Sequence, residues 1–507
     1  MEIREAITPA EERFERRRRA AGLFLGPAVF LLFYFFPIGG LSGKAASLSA
    51  VLALAVVFWL TEAMPLPVTA LIAAALNAVM GVAPVKDVLE PFANPIVFLF
   101  IGSFIIAEAV ALSGLDKRFV YAIFSIRFLQ KNPLRALFAV GLISAGISMW
   151  ISNTAATAMV LPIGVGMISA MRDMSGGASS RVYDYKGYAA SMMLMVAYAA
   201  SVGGIATPVG TPPNLIGIGL IQQMTGVKIT FFQWMAFAVP LTVAMFIVLF
   251  LLLSRNRRPF GAIILSGMED YVRSGRRALG RWKRAEVNTA AAFAAAVILW
   301  VMPGIVSGLF GQGAAAKLID ERLNEGVAAV IAAGLLFLLP ASPDGKARAM
   351  TWERAARIDW GTILLFGGGL SLGKLMVSTG LAEAVGGGFT SLTGASSLWG
   401  ITAAGTFFAI ILSEMTSNTA SANMVIPLMI AAANAAGVSP LPPALGACLG
   451  GSFGFMLPVS TPPNAIVYGS GLVPVLTMVR KGIIFHVCGF ILIMAGLMIL
   501  CPLMGWT

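Results

Sequence analysis

The chain has 507 residues, 58% hydrophobic and only 11% charged, with a mean hydropathy of +0.86. A soluble globular protein carries roughly 25% charged residues, so this composition excludes a soluble fold and places most of the chain in lipid. The formal net charge of +12 sits in short runs between apolar segments rather than along a polar face, which argues for membrane topology and against nucleic acid as a partner.

Residues 1–20 carry Arg16, Arg17, Arg18 and Arg19 with no small-residue cleavage site after them, and read as the cytoplasmic flank of a first span rather than a removable leader. Residues 21–255 form a first repeat, with apolar runs of span length at 21–39, 48–64, 66–84, 96–115, 188–220 and 233–254. Between them, 134–171 is too long for one helix and too short for two spans and a loop. A polar cluster breaks it in the middle, as expected of a re-entrant helical hairpin. Residues 256–286 are a cytoplasmic linker in which Met268 to Arg284 reads as an amphipathic helix on the inner membrane surface. A second repeat, 287–507, has runs at 287–304, 326–341, 361–380, 443–475 and 482–503, with a second hairpin at 396–435. The predicted architecture is an all-α polytopic membrane protein of about 11 transmembrane helices plus two re-entrant hairpins in an inverted repeat.

Charge supports this layout, although it played no part in choosing the spans. Lys117, Arg118, Arg127, Lys131, Arg172, Arg181, Lys186, the run Arg255 to Arg284, Lys346, Arg348, Arg354, Arg357, Arg480 and Lys481 fall on the cytoplasmic side, against Lys44, Lys86, Lys228, Lys317 and Arg322 outside. The hairpins then enter from opposite sides, as an inverted repeat requires.

The chemistry is carried by internal repetition. Ser148-Met-Trp-Ile-Ser152-Asn153-Thr154-Ala155 to Pro162 recurs in register as Ser413-Glu-Met-Thr-Ser417-Asn418-Thr419-Ala420 to Pro427. Pro208-Val-Gly210-Thr211-Pro212-Pro213-Asn214 recurs as Pro458-Val-Ser460-Thr461-Pro462-Pro463-Asn464. Ser, Asn and Thr offer uncharged donors and acceptors at a hairpin tip, and the helix that starts there aims free N–H groups and its positive dipole end at a carboxylate. Carbonyls freed by the breaks suit a hard cation such as sodium. Paired prolines cannot continue a helical ladder, so the spans near Thr211 and Thr461 must unwind, which lipid tolerates only around a cavity. Neither motif contains Arg or Lys, so a bound anion needs helix ends and co-bound cations to offset its charge. Two equivalent Asn-Thr tips suit a ligand with an acceptor at each end, such as a C4 dicarboxylate.

At these residues the chain resembles the divalent anion/sodium symporter family, whose signature is the paired Ser-Asn-Thr. Thr61-Glu62-Ala-Met-Pro65-Leu-Pro67, Gly102-Ser-Phe-Ile-Ile-Ala-Glu108 and Trp360 to Gly373 support it. The resemblance implies sodium-coupled symport of succinate, malate or fumarate across a bacterial inner membrane with the N-terminus cytoplasmic, by a homodimer whose transport domain moves against a scaffold as an elevator. It implies a first sodium site of Ser148, Ser152, Asn153 and Gly210, and a second of Ser413, Thr416, Asn418 and Ser460. Substrate would be held by Asn153, Thr154, Asn418 and Thr419, with Thr211, Pro212, Thr461 and Pro462 closing around it. Sodium-independent dicarboxylate exchange, and sodium-coupled sulfate or citrate transport, are the alternatives within the family. Sodium is then cargo, and no organic cofactor and no enzyme activity are expected.

The remaining polar residues read as follows. Glu62, Glu108 and Glu414 are intramembrane carboxylates, functional candidates by default; Glu414 could tune the second sodium site or bond neighbouring backbone. Lys374 suggests a structural partner or a position at the end of its span rather than a substrate contact, and Gly367-Gly368-Gly369 close helix packing rather than a phosphate loop. His486 and the cysteines Cys448, Cys488 and Cys501, in apolar surroundings without CxxC spacing, suggest neither a triad nor a metal cluster.

Overall fold

A computed structural model describes residues 9–37, 41, 43–126, 132–174, 185–255, 266–310 and 322–507. Arg127, Lys131, Arg181 and Lys317 of the charge pattern, and residues 256–265 of the linker, lie outside these. Within the described residues every regular element is helical, apart from an isolated bridge between Pro340 and Arg348.

The first half runs α1 (Pro9–Phe35), α2 (Gly43–Thr61), α3 (Leu66–Val79), α4 (Val85–Leu89), α5 (Pro95–Ser113) and α6 (Leu115–Phe124). The first hairpin is α7 (Pro133–Ser148) and α8 (Asn153–Met174). The broken span is α9 (Tyr185–Gly204) and α10 (Pro212–Thr225), and α11 (Phe231–Ser254) closes the half. After α12 (Ser266–Leu279), the second half runs α13 (Arg284–Phe310), α14 (Glu325–Leu338), the single turn α15 (Trp352–Ala355), α16 (Trp360–Thr379) and α17 (Leu381–Thr393). Its hairpin is α18 (Leu398–Met415) and α19 (Asn418–Ala435), its broken span α20 (Leu441–Gly450) and α21 (Pro462–Gly469), and α22 (Val475–Leu503) ends the fold.

Local chemistry sets the boundaries. Asn94 caps α5 by accepting from the Ile96 N–H at 2.9 Å, with Pro95 at the first helical position, where a missing N–H costs nothing. Thr230 and Gln233 form a reciprocal capping box at the start of α11. Helices α5 and α6 meet at Gly114, whose φ of 78° only glycine adopts without strain. The three consecutive glycines of α16 do what close packing requires: a Cβ there would strike Phe92 from Gly367, Ala70 from Gly368 and Asn423 from Gly369. Lys374, one turn on, pairs with Glu90 at 2.6 Å.

Among the described residues eight helices are long and apolar enough to cross a membrane, fewer than the expected spans. The difference arises because α3 and α14 have only 14 residues each and each expected span at a break is divided, α10, α20 and α21 having 14, 10 and 8 residues. Helix α1 begins well before residue 21, because the charged run Glu11 to Arg19 is itself strongly helix-forming. Helix α22 begins at Val475, so Arg480 and Lys481 lie within it rather than before it. Lys481 runs its aliphatic stem along the helix and donates to the Leu252 carbonyl at 3.0 Å. Helices α6 and α17 lie in stretches that carried no predicted span.

Candidate functional site

The two hairpins reproduce one another bond for bond. Ser148 Oγ donates to Asn153 Oδ1 at 2.7 Å, and Ser413 Oγ donates to Asn418 Oδ1 at 2.7 Å. Ser152 Oγ accepts from the Ala155 N–H at 3.3 Å, and Ser417 Oγ from the Ala420 N–H at 3.1 Å. The second serine of each motif is thus an N-cap, and its hydroxyl satisfies one of the orphan N–H groups at the start of α8 or α19. Asn153 and Asn418, half-buried at the first position of these helices, present their side chains at the tip.

The broken spans are also built alike. After α9, residues 205–211 leave the helix, and α10 restarts at Pro212; after α20, residues 451–461 do so, and α21 restarts at Pro462. Thr211 (φ −147°, ψ 143°) and Thr461 (φ −143°, ψ 147°) are the extended residues before the restart. The carbonyls released by each break are gathered by the asparagine that ends its motif. Asn214 Nδ2 donates to Gly204 O at 2.9 Å, Ile205 O at 3.3 Å and Thr207 O at 2.7 Å. Asn464 Nδ2 donates to Gly454 O at 3.1 Å, Leu457 O at 3.0 Å and Ser460 Oγ at 3.2 Å. Both asparagines are fully buried, and both amide oxygens, Asn214 Oδ1 and Asn464 Oδ1, are buried without a hydrogen-bond partner.

Hairpin and break meet in each half. A Cβ on Gly204 would collide with Asn153 Oδ1 and lie 3.2 Å from Gly210 O, while one on Gly454 would lie 3.3 Å from Ser413 O and 3.4 Å from Asn418 Oδ1. The first cluster therefore gathers Ser148 Oγ, Asn153 Oδ1 and the Gly204 and Gly210 backbone. The second gathers Ser413, Asn418 Oδ1 and the Gly454 backbone, with Gly451 O, 2.9 Å from Ser413 Oγ, a second acceptor for its single hydroxyl proton. Neutral oxygens at this density match the donor set a hard monovalent cation takes. The halves interlock crosswise, α8 packing on α21 and α10 on α19, and Cys448 Sγ of α20 donates to the Pro213 carbonyl at 3.1 Å. Helices α8, α10, α19 and α21 all begin within these clusters, and their first N–H groups supply the positive potential an anion needs.

Some residues take other partners. Thr416 Oγ1 donates to the Trp59 carbonyl at 3.1 Å and Arg18 donates to the Met415 carbonyl at 3.3 Å, so the second hairpin tip is docked on the body of α1 and the end of α2. Arg18 and Arg19 also hold Glu62, at 3.2 and 3.5 Å; Glu62 has the left-handed φ of 49°. Thr154 is exposed and Thr419 half-buried, and neither is engaged by the contacts that build the clusters. Glu414 Oε1 and Oε2 accept from consecutive backbone N–H groups of the second break: Phe455, Met456 at 2.8 Å and Leu457 at 3.3 Å. His486 Nε2 lies 3.1 Å from Glu414.

The sequence reading placed Asn214 and Asn464 in a motif but gave them no role, and it overlooked Gly204 and Gly454. The signal was available, since both pairs recur at the spacing of the Thr-Pro-Pro-Asn repeat.

A family model described as the sodium:sulfate symporter transmembrane region matches residues 17–506. The sodium-dependent dicarboxylate transporter SdcS of Staphylococcus saprophyticus is 31% identical over 483 residues, 95% of this chain and 91% of the relative. Its counterpart in Staphylococcus aureus strain USA300 is 31% identical over 484 residues, with the same coverage. Among solved structures, the YdaH transporter of Alcanivorax borkumensis matches with a TM-score of 0.52 at 11% identity, over 82% of this chain and 86% of that one, a likeness of fold.

Proposed function

We propose, on the premise that this chain belongs to the sodium:sulfate symporter family of membrane transporters, that it couples sodium to the movement of C4 dicarboxylates such as succinate. The observation that carries this reading is the duplicated Ser-to-Asn oxygen cluster beside a duplicated break, each at a helix start and without a basic side chain in the motif. An anion there is favoured by helix ends and by cations in the flanking oxygens, so cation and anion binding are mutually dependent. The staphylococcal relatives, named sodium-dependent dicarboxylate transporters, support the same cation and anion class.

In this reading Ser148, Ser152, Asn153 and Gly210 serve one sodium and Ser413, Thr416, Asn418 and Ser460 the other. Asn153, Thr154, Asn418 and Thr419 hold the carboxylates, and Thr211, Pro212, Thr461 and Pro462 shape the walls. Since Ser152 already caps a helix and Thr416 Oγ1 already donates to Trp59, they serve the ions through backbone carbonyl or residual hydroxyl lone pairs. The protein works as a homodimer in a bacterial inner membrane with its N-terminus in the cytoplasm, the hairpins and broken spans moving together against the rest.

The test is radiolabelled succinate uptake into proteoliposomes with an inward sodium gradient, with an equal potassium gradient, and with succinate preloaded. Uptake that requires sodium, is competed by malate and fumarate but not by sulfate, and is lost in Asn153→Ala and Asn418→Ala is the expected outcome. Uptake driven by internal succinate alone would replace symport by exchange, and sulfate or citrate uptake in place of succinate would move the substrate class.

A further inference from the structure

The two halves match closely enough that their exceptions stand out, and the largest exception is a charge. Position 414 of the second hairpin is glutamate where the first hairpin has Met149. In the first half the hairpin meets its break through a neutral contact, the Thr207 hydroxyl donating to the Met149 carbonyl. In the second half a buried carboxylate, its side chain 9% exposed, collects the N–H groups of Phe455, Met456 and Leu457. His486 Nε2, on α22, lies 3.1 Å from both that carboxylate and the Phe453 carbonyl, which compete for its one N–H, while the Tyr198 hydroxyl donates to the Phe455 carbonyl from α9. The segment held in this way leads directly to the second cluster. The Leu457 carbonyl accepts from Ser460 Oγ at 2.8 Å and from Asn464 Nδ2 at 3.0 Å, and Glu414 itself follows Ser413 in the chain. Ser460 is the second exception, because the first half has Gly210 there and offers no hydroxyl.

We infer that Glu414 is a positioning residue for the second cation cluster, and that it makes that cluster the tighter of the two and the first to fill. Two effects act in one direction. Three N–H bonds to one carboxylate hold the break rigid before any ion arrives, which removes an ordering cost from binding. A buried negative charge next to Ser413 also attracts a cation more strongly than the uncharged surroundings of Met149 do. The inference deepens the sodium-coupled reading above and rests on it.

The experiment compares Glu414→Gln with wild type in proteoliposomes, measuring uptake against sodium concentration at saturating succinate and against succinate at saturating sodium. Glu414→Gln keeps the volume and one acceptor oxygen but removes the charge. The expected result is a sodium half-saturation raised about tenfold, maximal uptake recovered at high sodium, and a succinate half-saturation at saturating sodium within about twofold of wild type. Glu414→Asp keeps the charge but withdraws it by one methylene, so it should raise the sodium half-saturation about threefold, and it stands as the test should the glutamine variant not fold. An unchanged sodium half-saturation in a folded variant, or a loss of maximal uptake that no sodium concentration restores, overturns the inference. Wild-type uptake independent of sodium would instead overturn the coupling reading itself.

Discussion

Replacing Asn214 by alanine tests whether the break between α9 and α10 is held by one side chain. In the folded protein Asn214 Nδ2 gives its hydrogens to the carbonyls of Gly204, Ile205 and Thr207, at 2.9, 3.3 and 2.7 Å, and the residue is fully buried. Alanine removes the donors and leaves acceptors in an environment without water. A typical intramolecular hydrogen bond contributes about 1 kcal/mol net, and a buried group left unpaired costs about 1–3 kcal/mol. Two hydrogens shared among three acceptors, with some backbone relaxation, give roughly 3 kcal/mol in favour of the disordered break. At 1.4 kcal/mol per tenfold, the binding-competent geometry becomes about a hundredfold less populated. Apparent affinity falls in proportion where the break has no other support. The same loss falls on the folded state, so the unfolding midpoint by tryptophan fluorescence should fall as well, and sodium binding is read at a temperature where the variant is folded. Sodium-dependent thermal stabilisation of the purified protein should shift to sodium concentrations about a hundredfold higher, or vanish. Asn464→Ala, whose amide serves Gly454, Leu457 and Ser460, should behave alike but more mildly, because Glu414 also holds that break. A variant Asn214→Ala with wild-type sodium dependence would refute the idea that this amide organises the site.

Gly204→Ala places a methyl against Asn153 Oδ1 and should abolish uptake, whereas Gly387→Ala, where a methyl meets open space, should leave uptake unchanged; both are read in the proteoliposome assay. Glu286→Ala leaves Arg118 buried without its carboxylate, which stands 2.8 Å away with the pair's side chains 12% and 2% exposed. Breaking such a pair costs about 3–5 kcal/mol, so the unfolding midpoint should fall clearly, and Glu286→Gln, which can still accept, should fall less. Arg18→Ala removes the contact to the Met415 carbonyl and the pairing to Glu62. Since partly exposed pairs contribute about 1 kcal/mol or less, stability should change little. Maximal uptake should change while the sodium half-saturation stays within about twofold, because the contact bridges α1 to a hairpin proposed to move.

How much of this was legible in the sequence depends on how far each bond reaches along the chain. The hairpins and breaks could be read because their causes are local: proline removes an N–H where the ladder needs one, and a Ser-Asn pair interrupts an apolar run at a visible place. The hydroxyl of Ser148 and the amide of Asn153 are five residues apart, so the cluster was within reach of a motif. Lengths were less legible because the stops lie inside apolar runs, although their causes are local: Gly81, at φ 67°, follows the end of α3, and Pro340 holds Leu339 extended after α14. Arg118 and Glu286 join α6 to the start of α13, and no local pattern couples residues that far apart.

The internal repeat changes this limit in a useful way, because each half is a reference for the other. Where the halves agree, as in Ser148 with Ser413 or Asn214 with Asn464, agreement in sequence became agreement in hydrogen bonding to within a few tenths of an ångström. Where they disagree, the sequence alone marked the position and withheld the reason: Glu414 against Met149 could have been a packing change or a bond to backbone. Its partners are 41 to 43 residues downstream, in the non-helical segment between the end of α20 at Gly450 and the restart of α21 at Pro462. A carboxylate can collect consecutive N–H groups only where a helix has released them, so the glutamate and the proline break depend on each other. Pro462 holds Thr461 out of helical geometry, so Pro462→Ala with Pro463→Ala lets α21 extend back toward Leu457, and should therefore weaken the grip of Glu414 and reproduce part of the sodium-affinity loss of Glu414→Gln in the same uptake assay.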